Sequence, residues 1–281
     1  MSSPASDRRP VLQAPADACD CHIHVYGAQW PTIPAALTPG PDWATAAAYV
    51  RLRARLGITR SVVVQPTAYG TDNRCTLGAI AELGLAHTRG VAVIDDRVGD
   101  ADLRALTDAG IRGARFQMLP GGILGWDSLA PVARRIAPFG WHIQLQMDGR
   151  LLAEREALLR DLPCPLVIDH VGKFLEPVPV GHPGFQALLR LLDGGRTWLK
   201  LSAPYEVSRA GAPDYADVAA LAKAAVAAAP DRLVWASNWP HVSVSNRPDD
   251  TDLLDLLLAW APDPAVRNRI LVDNPARLYG F

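Results

Sequence analysis

Eight short, apolar, β-rich runs recur along the chain, each followed by a longer Ala- and Leu-rich stretch with helical spacing. The runs are Ala18–His24, Ser61–Gln65, Gly90–Ile94, Arg112–Phe116, Trp141–Gln146, Pro165–His170, Thr197–Ser202 and Arg232–Asn238. The helical stretches run from Trp43–Gly57 to Tyr215–Ala229, and a last one, Asp250–Trp260, follows the eighth run. Strand–helix alternation through eight cycles predicts an α/β fold of the (β/α)8 TIM-barrel type. The length of 281 residues matches it. A doubly wound open sheet is the runner-up, disfavoured because no G-x-G-x-x-G follows an early strand. With no composition break, linker or solenoid repeat, residues 1–281 read as a single barrel domain. Its first stretch, MSSPASDRRPVLQAPADA, lacks the apolar core of a signal peptide, so residues 1–16 read as a flexible polar tail.

Composition narrows the function classes. Lys plus Arg number 28 against 29 Asp plus Glu, a balance that argues against a nucleic-acid footprint. No segment approaches the apolar length of a membrane span. The four cysteines, Cys19, Cys21, Cys75 and Cys164, form no CxxC pair and read as reduced, buried thiols of a cytoplasmic protein. A small-molecule partner is left, acted on by a monomer or homo-oligomer.

Barrel enzymes place their chemistry at the C-terminal ends of the strands. The first run ends in Asp20-Cys21-His22-Ile23-His24; strict alternation would point Asp20, His22 and His24 one way and turn Cys21 and Ile23 toward the helices. The second leads into Gln65-Pro66-Thr67-Ala68-Tyr69-Gly70-Thr71-Asp72-Asn73, and the fourth ends in Arg115-Phe116-Gln117. The fifth carries Gln144 and Gln146 on one face, and the sixth ends in Asp169-His170. The seventh carries Lys200 and Ser202, followed by Tyr205 and Arg209, and the eighth ends in Ser237-Asn238-Trp239-Pro240-His241. One histidine at a strand end is an ordinary structural residue. Three of them, His22, His24 and His170, all at catalytic ends, form a candidate site.

These residues resemble a known group. His22-x-His24, Val167-Ile168-Asp169-His170-Val171-Gly172-Lys173 and Trp239-Pro240-His241 are similar to the amidohydrolase superfamily. The string Gln65–Arg74 resembles its 2-pyrone-4,6-dicarboxylate lactonase branch, which also holds sugar-lactone isomerases. The resemblance runs from about Asp17 to Phe281. It implies a (β/α)8 fold and hydrolysis of a carboxylated lactone without metal, although many superfamily members hold one or two divalent ions. The residues agree: Gln144, Gln146 and Asn238 are poor zinc ligands, and His142 sits at the wrong end of its strand. No catalytic metal and no cofactor are therefore expected.

Lactone opening needs a polarised carbonyl, an activated water and a stabilised leaving oxygen. His22, His24 and His170 would supply hydrogen bonds or positive charge to the carbonyl. Arg115 would pair with a substrate carboxylate. Thr67, Tyr69, Gln146, Tyr205, Arg209 and Trp239 complete the expected contacts with the small anionic lactone.

Two departures from the branch matter. The resemblance implies a general-base aspartate at the end of the eighth strand, in a T-D-W-P-H pattern, where this chain has Asn238. An amide cannot accept a proton near neutral pH. Asn238 is then either an inactivating Asp-to-Asn substitution, the reading favoured by the intact motif around it, or a natural residue of an enzyme with another reaction or of a pseudoenzyme that only binds its ligand. The second departure is the anion clamp: no further cation follows Arg115-Phe116, and Tyr205-Glu206 brings a carboxylate instead, which weakens the case for a planar dicarboxylate. A lactone with one carboxylate, or a hydroxylated or aromatic ring, fits better. A sugar-lactone isomerase and a metal-dependent hydrolase or decarboxylase are the enzymatic alternatives. Asp169 reads mainly as structural, Lys200 as either a central group or an ion-pair partner, His87, His142 and His182 as surface or scaffold residues, and His241 as a loop support.

Overall fold

The computed structural model describes residues 8–34, 36 and 40–281. Eight strands form one sheet: β1 (Cys19–Ile23), β2 (Arg60–Val64), β3 (Thr88–Ala92), β4 (Ile111–Gln117), β5 (His142–Gln146), β6 (Leu166–Ile168), β7 (Thr197–Leu201) and β8 (Leu233–Trp235). Sequential neighbours pair in parallel, β1 through β8 in chain order. The helices are α1 (Ala46–Leu56), α2 (Arg74–Leu83), α3 (Asp100–Asp108), α4 (Trp126–Ile136), α5 (Leu152–Arg160), α6 (Pro183–Asp193), α7 (Ala216–Ala228), α8 (Asp250–Trp260), α9 (Pro264–Asn268) and α10 (Asn274–Tyr279). The expected (β/α)8 barrel is the observed fold. No described helix is long and apolar enough to cross a membrane.

Local chemistry sets the helix ends. Thr45 caps α1 by accepting from the Ala48 N–H, and Gly57 closes it in a left-handed conformation at φ 72°. Asp249 caps α8 through the Thr251 N–H. His182, a scaffold residue as expected, caps α6 with its ring and is followed by Pro183 at the first helical position.

β6 and β8 are shorter than the apolar runs that announced them. Their polar ends leave the sheet, and His170 and Asn238 adopt left-handed backbone at φ 55° and 64°. Sparsely populated backbone of this kind clusters where a site must be shaped.

The barrel closes where β8 meets β1. The Asn238 N–H donates to the His22 carbonyl at 3.0 Å, and the His24 N–H donates to the Trp239 carbonyl at 2.8 Å. Closure is stapled by Asp20, whose carboxylate accepts from the Ser237 N–H (2.9 Å) and hydroxyl (2.6 Å) and from the Tyr49 hydroxyl of α1 (3.1 Å).

This staple corrects the expected facing of β1. The β1–β2 register shifts between Asp20 and Ile23. Cys19 and Cys21 consequently pack with Val62, Val64, Val167, Val234 and Tyr279 in the barrel interior, while Asp20 turns outward to α1. A bulge inserts a residue and resets alternation, so His22 still points inward and Asp20 does not share its face.

The barrel floor is filled by His142 and Tyr279, with ring centroids 5.4 Å apart. All four cysteines are free and buried. The expected flexible tail divides: residues 1–7 lie outside the described residues, whereas part of the stretch from 8 to 16 is docked. The Val11 and Leu12 N–H groups donate to Asp255, and Leu12 is buried. Its side chain has apolar surface to bury, and Asp255 in the middle of α8 supplies the acceptors.

Removing the staple takes the acceptor from four donors, the Ser237 N–H and hydroxyl, the Tyr49 hydroxyl and the His22 N–H, so Asp20→Ala is expected to cost about 2–4 kcal/mol of stability. Burial lifts the Asp20 carboxyl to about 6, against the bonds from Ser237 that pull it down. Because the folded value lies above the unfolded one of about 3.9, Asp20's contribution is greatest below pH 4 and falls as pH rises to about 6. Urea denaturation at pH 4.5 and pH 7.5 should give the larger wild-type-minus-variant difference at the lower pH. A difference that is equal or smaller there contradicts the assignment.

Candidate active site

At the C-terminal end of the barrel, a cleft with about 620 Å³ of open space is lined in part by His24, Tyr26, Thr67, Arg115, Gln146 and His170. Gln117, Lys173, Glu206, Asn238 and Ser243 complete its polar wall. Beneath it, a line of hydrogen bonds crosses the barrel. The Lys200 ammonium lies 3.2 Å from His22 Nδ1, His22 Nε2 lies 3.2 Å from His24 Nε2, and His24 Nδ1 lies 2.8 Å from the Val64 carbonyl.

The two ends of this line fix its direction. An ammonium only donates and a carbonyl only accepts. Lys200 therefore donates to His22 Nδ1, His22 Nε2–H donates to His24 Nε2, and His24 Nδ1–H donates to Val64. Both rings are neutral in this arrangement. Burial, joined by the charges of Lys200 and Arg115, pushes His22 well below its ordinary value. Burial and Arg115 take His24 down to about 3. Burial also holds His170 well below the ordinary histidine range, against the pull of Asp169. The histidines can thus offer oriented neutral hydrogen bonds. Positive charge, the other possibility raised by the sequence, must come from elsewhere.

Lys200 and Asp169 supply a fully buried ion pair, with Nζ 3.4 Å from Oδ1. Gln144 stitches it, accepting from Lys200 at 2.7 Å and donating to Asp169 Oδ2 at 3.0 Å. Burial opposes the Asp169 charge, but the charges of Lys200 and Arg115 hold the carboxyl below its ordinary value. His170 Nδ1 is bonded to the Ser202 hydroxyl at 2.8 Å, leaving Nε2 as its remaining polar atom.

Arg115 is buried, held by the Gln65 carbonyl at 2.8 Å and more loosely by Gln117 and Gln146. Its Nε has no partner, and no carboxylate of the described residues forms an ion pair with it. A buried guanidinium without an anion favours an anionic ligand. Lys173 instead pairs with Glu206. Glu206 also accepts from the Asn238 amide at 3.2 Å and from the Ser243 hydroxyl. The other Asn238 amide hydrogen goes to the Tyr205 hydroxyl at 2.8 Å.

The expected site residues divide accordingly. His24, His170, Asn238, Arg115, Thr67 and Gln146 line the cleft, and His22 lies directly beneath it. Four expected contact residues do not line it. Arg209 is exposed and paired with Glu176. Tyr69 spends its hydroxyl on the Gly27 backbone and stacks behind Tyr26 at 6.0 Å. Trp239 is buried between Trp43 and Tyr49. Tyr205 stands behind Asn238, bridging it to His241. In each case the side chain turns away from its strand end, which alternation cannot foresee in a loop. Tyr26, Gln117, Lys173, Glu206 and Ser243 are cleft residues that are not among the expected contacts; proximity to strand ends was the available signal for the first four, and the sequence marks Glu206 only as a charge out of place in an anion clamp.

Among the described residues, His22, Asp169 and His170 form a group that could bring metal-ligating atoms together, within 4.8 Å of one another. The Lys200 ammonium already sits 3.2 Å from His22 Nδ1 and 3.4 Å from Asp169 Oδ1. A divalent ion there would face an ammonium within about hydrogen-bond distance of two of its three donors. The donor set does not fit such an ion.

Residues 19–281 match the amidohydrolase family. The chain is 39% identical to the D-galactarolactone isomerase of Agrobacterium fabrum, over 98% of this chain and 94% of that protein. It is 34% identical to the 2-pyrone-4,6-dicarboxylate hydrolase of Comamonas testosteroni, over 98% and 94%. An Agrobacterium tumefaciens protein solved in its apo form superposes with a TM-score of 0.92 at 38% identity, covering 97% of this chain and 98% of that one.

With His24 at about 3 and the other two well below the ordinary value, the rings of His22, His24 and His170 should not titrate near neutrality. Imidazole nitrogen shifts followed by NMR should stay constant from pH 5 to pH 8. A midpoint near 6.5 for any of the three would contradict the neutral line.

Proposed function

The chain belongs to the amidohydrolase family, and on that premise we propose that it is a metal-independent enzyme acting on a carboxylated, hydroxylated lactone, which it isomerises by internal acyl transfer. The observation that carries this reading is Asn238. It stands where the family's general base is expected, and both hydrogens of its amide are spent, on Tyr205 and Glu206. An aspartate in its place would set one carboxylate against another at about 3.2 Å, a repulsive arrangement. We accordingly read Asn238 as native to this site, in place of the inactivating substitution the motif alone favoured.

With an amide at position 238 and the Glu206 carboxylate engaged by Lys173, Asn238 and Ser243, water is a poor nucleophile, and general-base help of about 10²–10⁴-fold is forgone. A hydroxyl on the substrate itself can make up this loss, since well-oriented intramolecular attack reaches effective molarities of about 10⁵–10⁸ M. In the step proposed, that hydroxyl oxygen bonds to the lactone carbonyl carbon and the original ring C–O bond breaks. The proton of the attacking hydroxyl passes to the departing oxygen, so the product is an isomeric lactone and no water is consumed. Asn238 Oδ1 would orient the attacking hydroxyl. His170 Nε2 would stand by the reacting carbonyl and carry the proton between the two oxygens. His22 and His24 hold that wall in a fixed tautomer.

The substrate class follows from the cleft lining. Arg115 takes the free carboxylate. Thr67, Gln117, Gln146, Glu206, Asn238 and Ser243 offer donors and acceptors suited to hydroxyl groups. Tyr26 is the one phenol or indole ring among the lining residues, so little flat surface is available for an aromatic ring. A lactone of a sugar diacid, which carries one carboxylate and several hydroxyls, meets these demands.

D-Galactarolactone turned over in H₂¹⁸O tests the reading. The expected product is an isomeric lactone free of solvent ¹⁸O by NMR and mass spectrometry. A ring-opened acid carrying one solvent oxygen as the sole product would establish hydrolysis instead. Arg115→Met should raise KM about 30- to 150-fold, the equivalent of about 2–3 kcal/mol for a charge-assisted pair. Exhaustive chelation should leave kcat unchanged, and a loss restored by zinc or manganese would defeat metal independence.

A further inference from the structure

Behind Asn238 runs a second line of hydrogen bonds that leaves the cleft. The Asn238 amide nitrogen meets the Tyr205 hydroxyl at 2.8 Å, that hydroxyl meets His241 Nδ1 at 2.8 Å, and His241 Nε2 meets the Asp250 carboxylate at 3.0 Å. His241 and Asp250 are buried, and Asp250 is the first residue of α8.

Both ends of the line are anchored by groups that only accept. Glu206 accepts from Asn238 at one end, and Asp250 accepts from His241 at the other. Asn238 must therefore turn its –NH₂ toward Tyr205 and Glu206, Tyr205 must donate onward to His241 Nδ1, and His241 must carry its proton on Nε2. Burial keeps the Tyr205 phenol protonated by raising it far above its ordinary value. Glu206 is itself held by Lys173 and Ser243. The amide oxygen of Asn238 is what remains for the cleft.

We propose that Tyr205, His241 and Asp250 form a one-way hydrogen-bond relay that locks the Asn238 side chain with its oxygen facing the substrate, which makes them positioning residues for the transfer step. The role of the oxygen rests on the proposed isomerisation; the locking of the amide does not. The relay also gives His241, which the sequence placed only as a loop support, a definite task, and ties α8 to the site. A broken link lets the amide rotate and present –NH₂, a donor, where a hydroxyl needs an acceptor.

Two measurements on the full chain separate these claims. The first is hydrogen exchange of the Asn238 side-chain amide, read by ¹⁵N NMR without substrate. Exchange should speed up in Tyr205→Phe and in Asp250→Ala, and Asp250→Asn, which still offers His241 an acceptor, should recover most of the protection. The second is turnover of D-galactarolactone. Tyr205→Phe and Asp250→Ala should each lower kcat about tenfold with KM within about twofold, and the double variant should stay at about the same tenfold loss in total, well short of a hundredfold, because both break one line. Multiplying effects in the double variant, or unchanged exchange in both single variants, would overturn the relay. Absent isomerisation with the exchange pattern intact would overturn the functional reading and leave the relay standing.

Discussion

An ammonium at the centre of the barrel organises everything above it. Lys200 is fully buried, and an unpaired charge there would be prohibitive. Asp169 answers it, and Gln144 bonds to both partners at once. Because Lys200 can only donate, it settles the tautomer of His22, and His22 settles that of His24. The same charge stands where a divalent ion would need to bind. A single lysine thus accounts for the neutral histidines and for a donor set that does not suit metal.

The seam between β1 and β8 joins fold and chemistry. Asp20 staples it from outside through Ser237 and Tyr49, and the Asn238 N–H closes it from inside onto the His22 carbonyl. The residue that completes the barrel is therefore also a residue of the cleft wall. Its left-handed backbone is of a kind that Asn adopts more readily than most residues. Two lines of hydrogen bonds, one under the cleft and one behind Asn238, leave few polar atoms of this end free to reorient.

Much of this was legible in order along the chain. The eight apolar runs announced eight strands, and residues at their ends, His24, Arg115, Gln146, His170 and Asn238, line the cleft. What failed were inferences that carried strand alternation past its limits. A register shift inside β1 turned Asp20 away from His22. Tyr69, Tyr205, Arg209 and Trp239 follow strand ends in the chain, yet their loops point them to the backbone, to Asn238, to solvent and into the core. Lys173 and Glu206 lie 33 positions apart, and nothing local marks them as partners.

The sequence by itself determined the barrel, the strand ends that carry polar groups and the amide at position 238, because these depend on periodicity and on residue identity. Tertiary structure alone decided which nitrogen of each histidine holds its proton, which side of the Asn238 amide meets the cleft and which cation stays without a carboxylate. Those outcomes depend on donors and acceptors from distant strands meeting in a dry interior. There most polar atoms find a partner, and the partner's chemistry, more than its place in the chain, sets the direction of each bond.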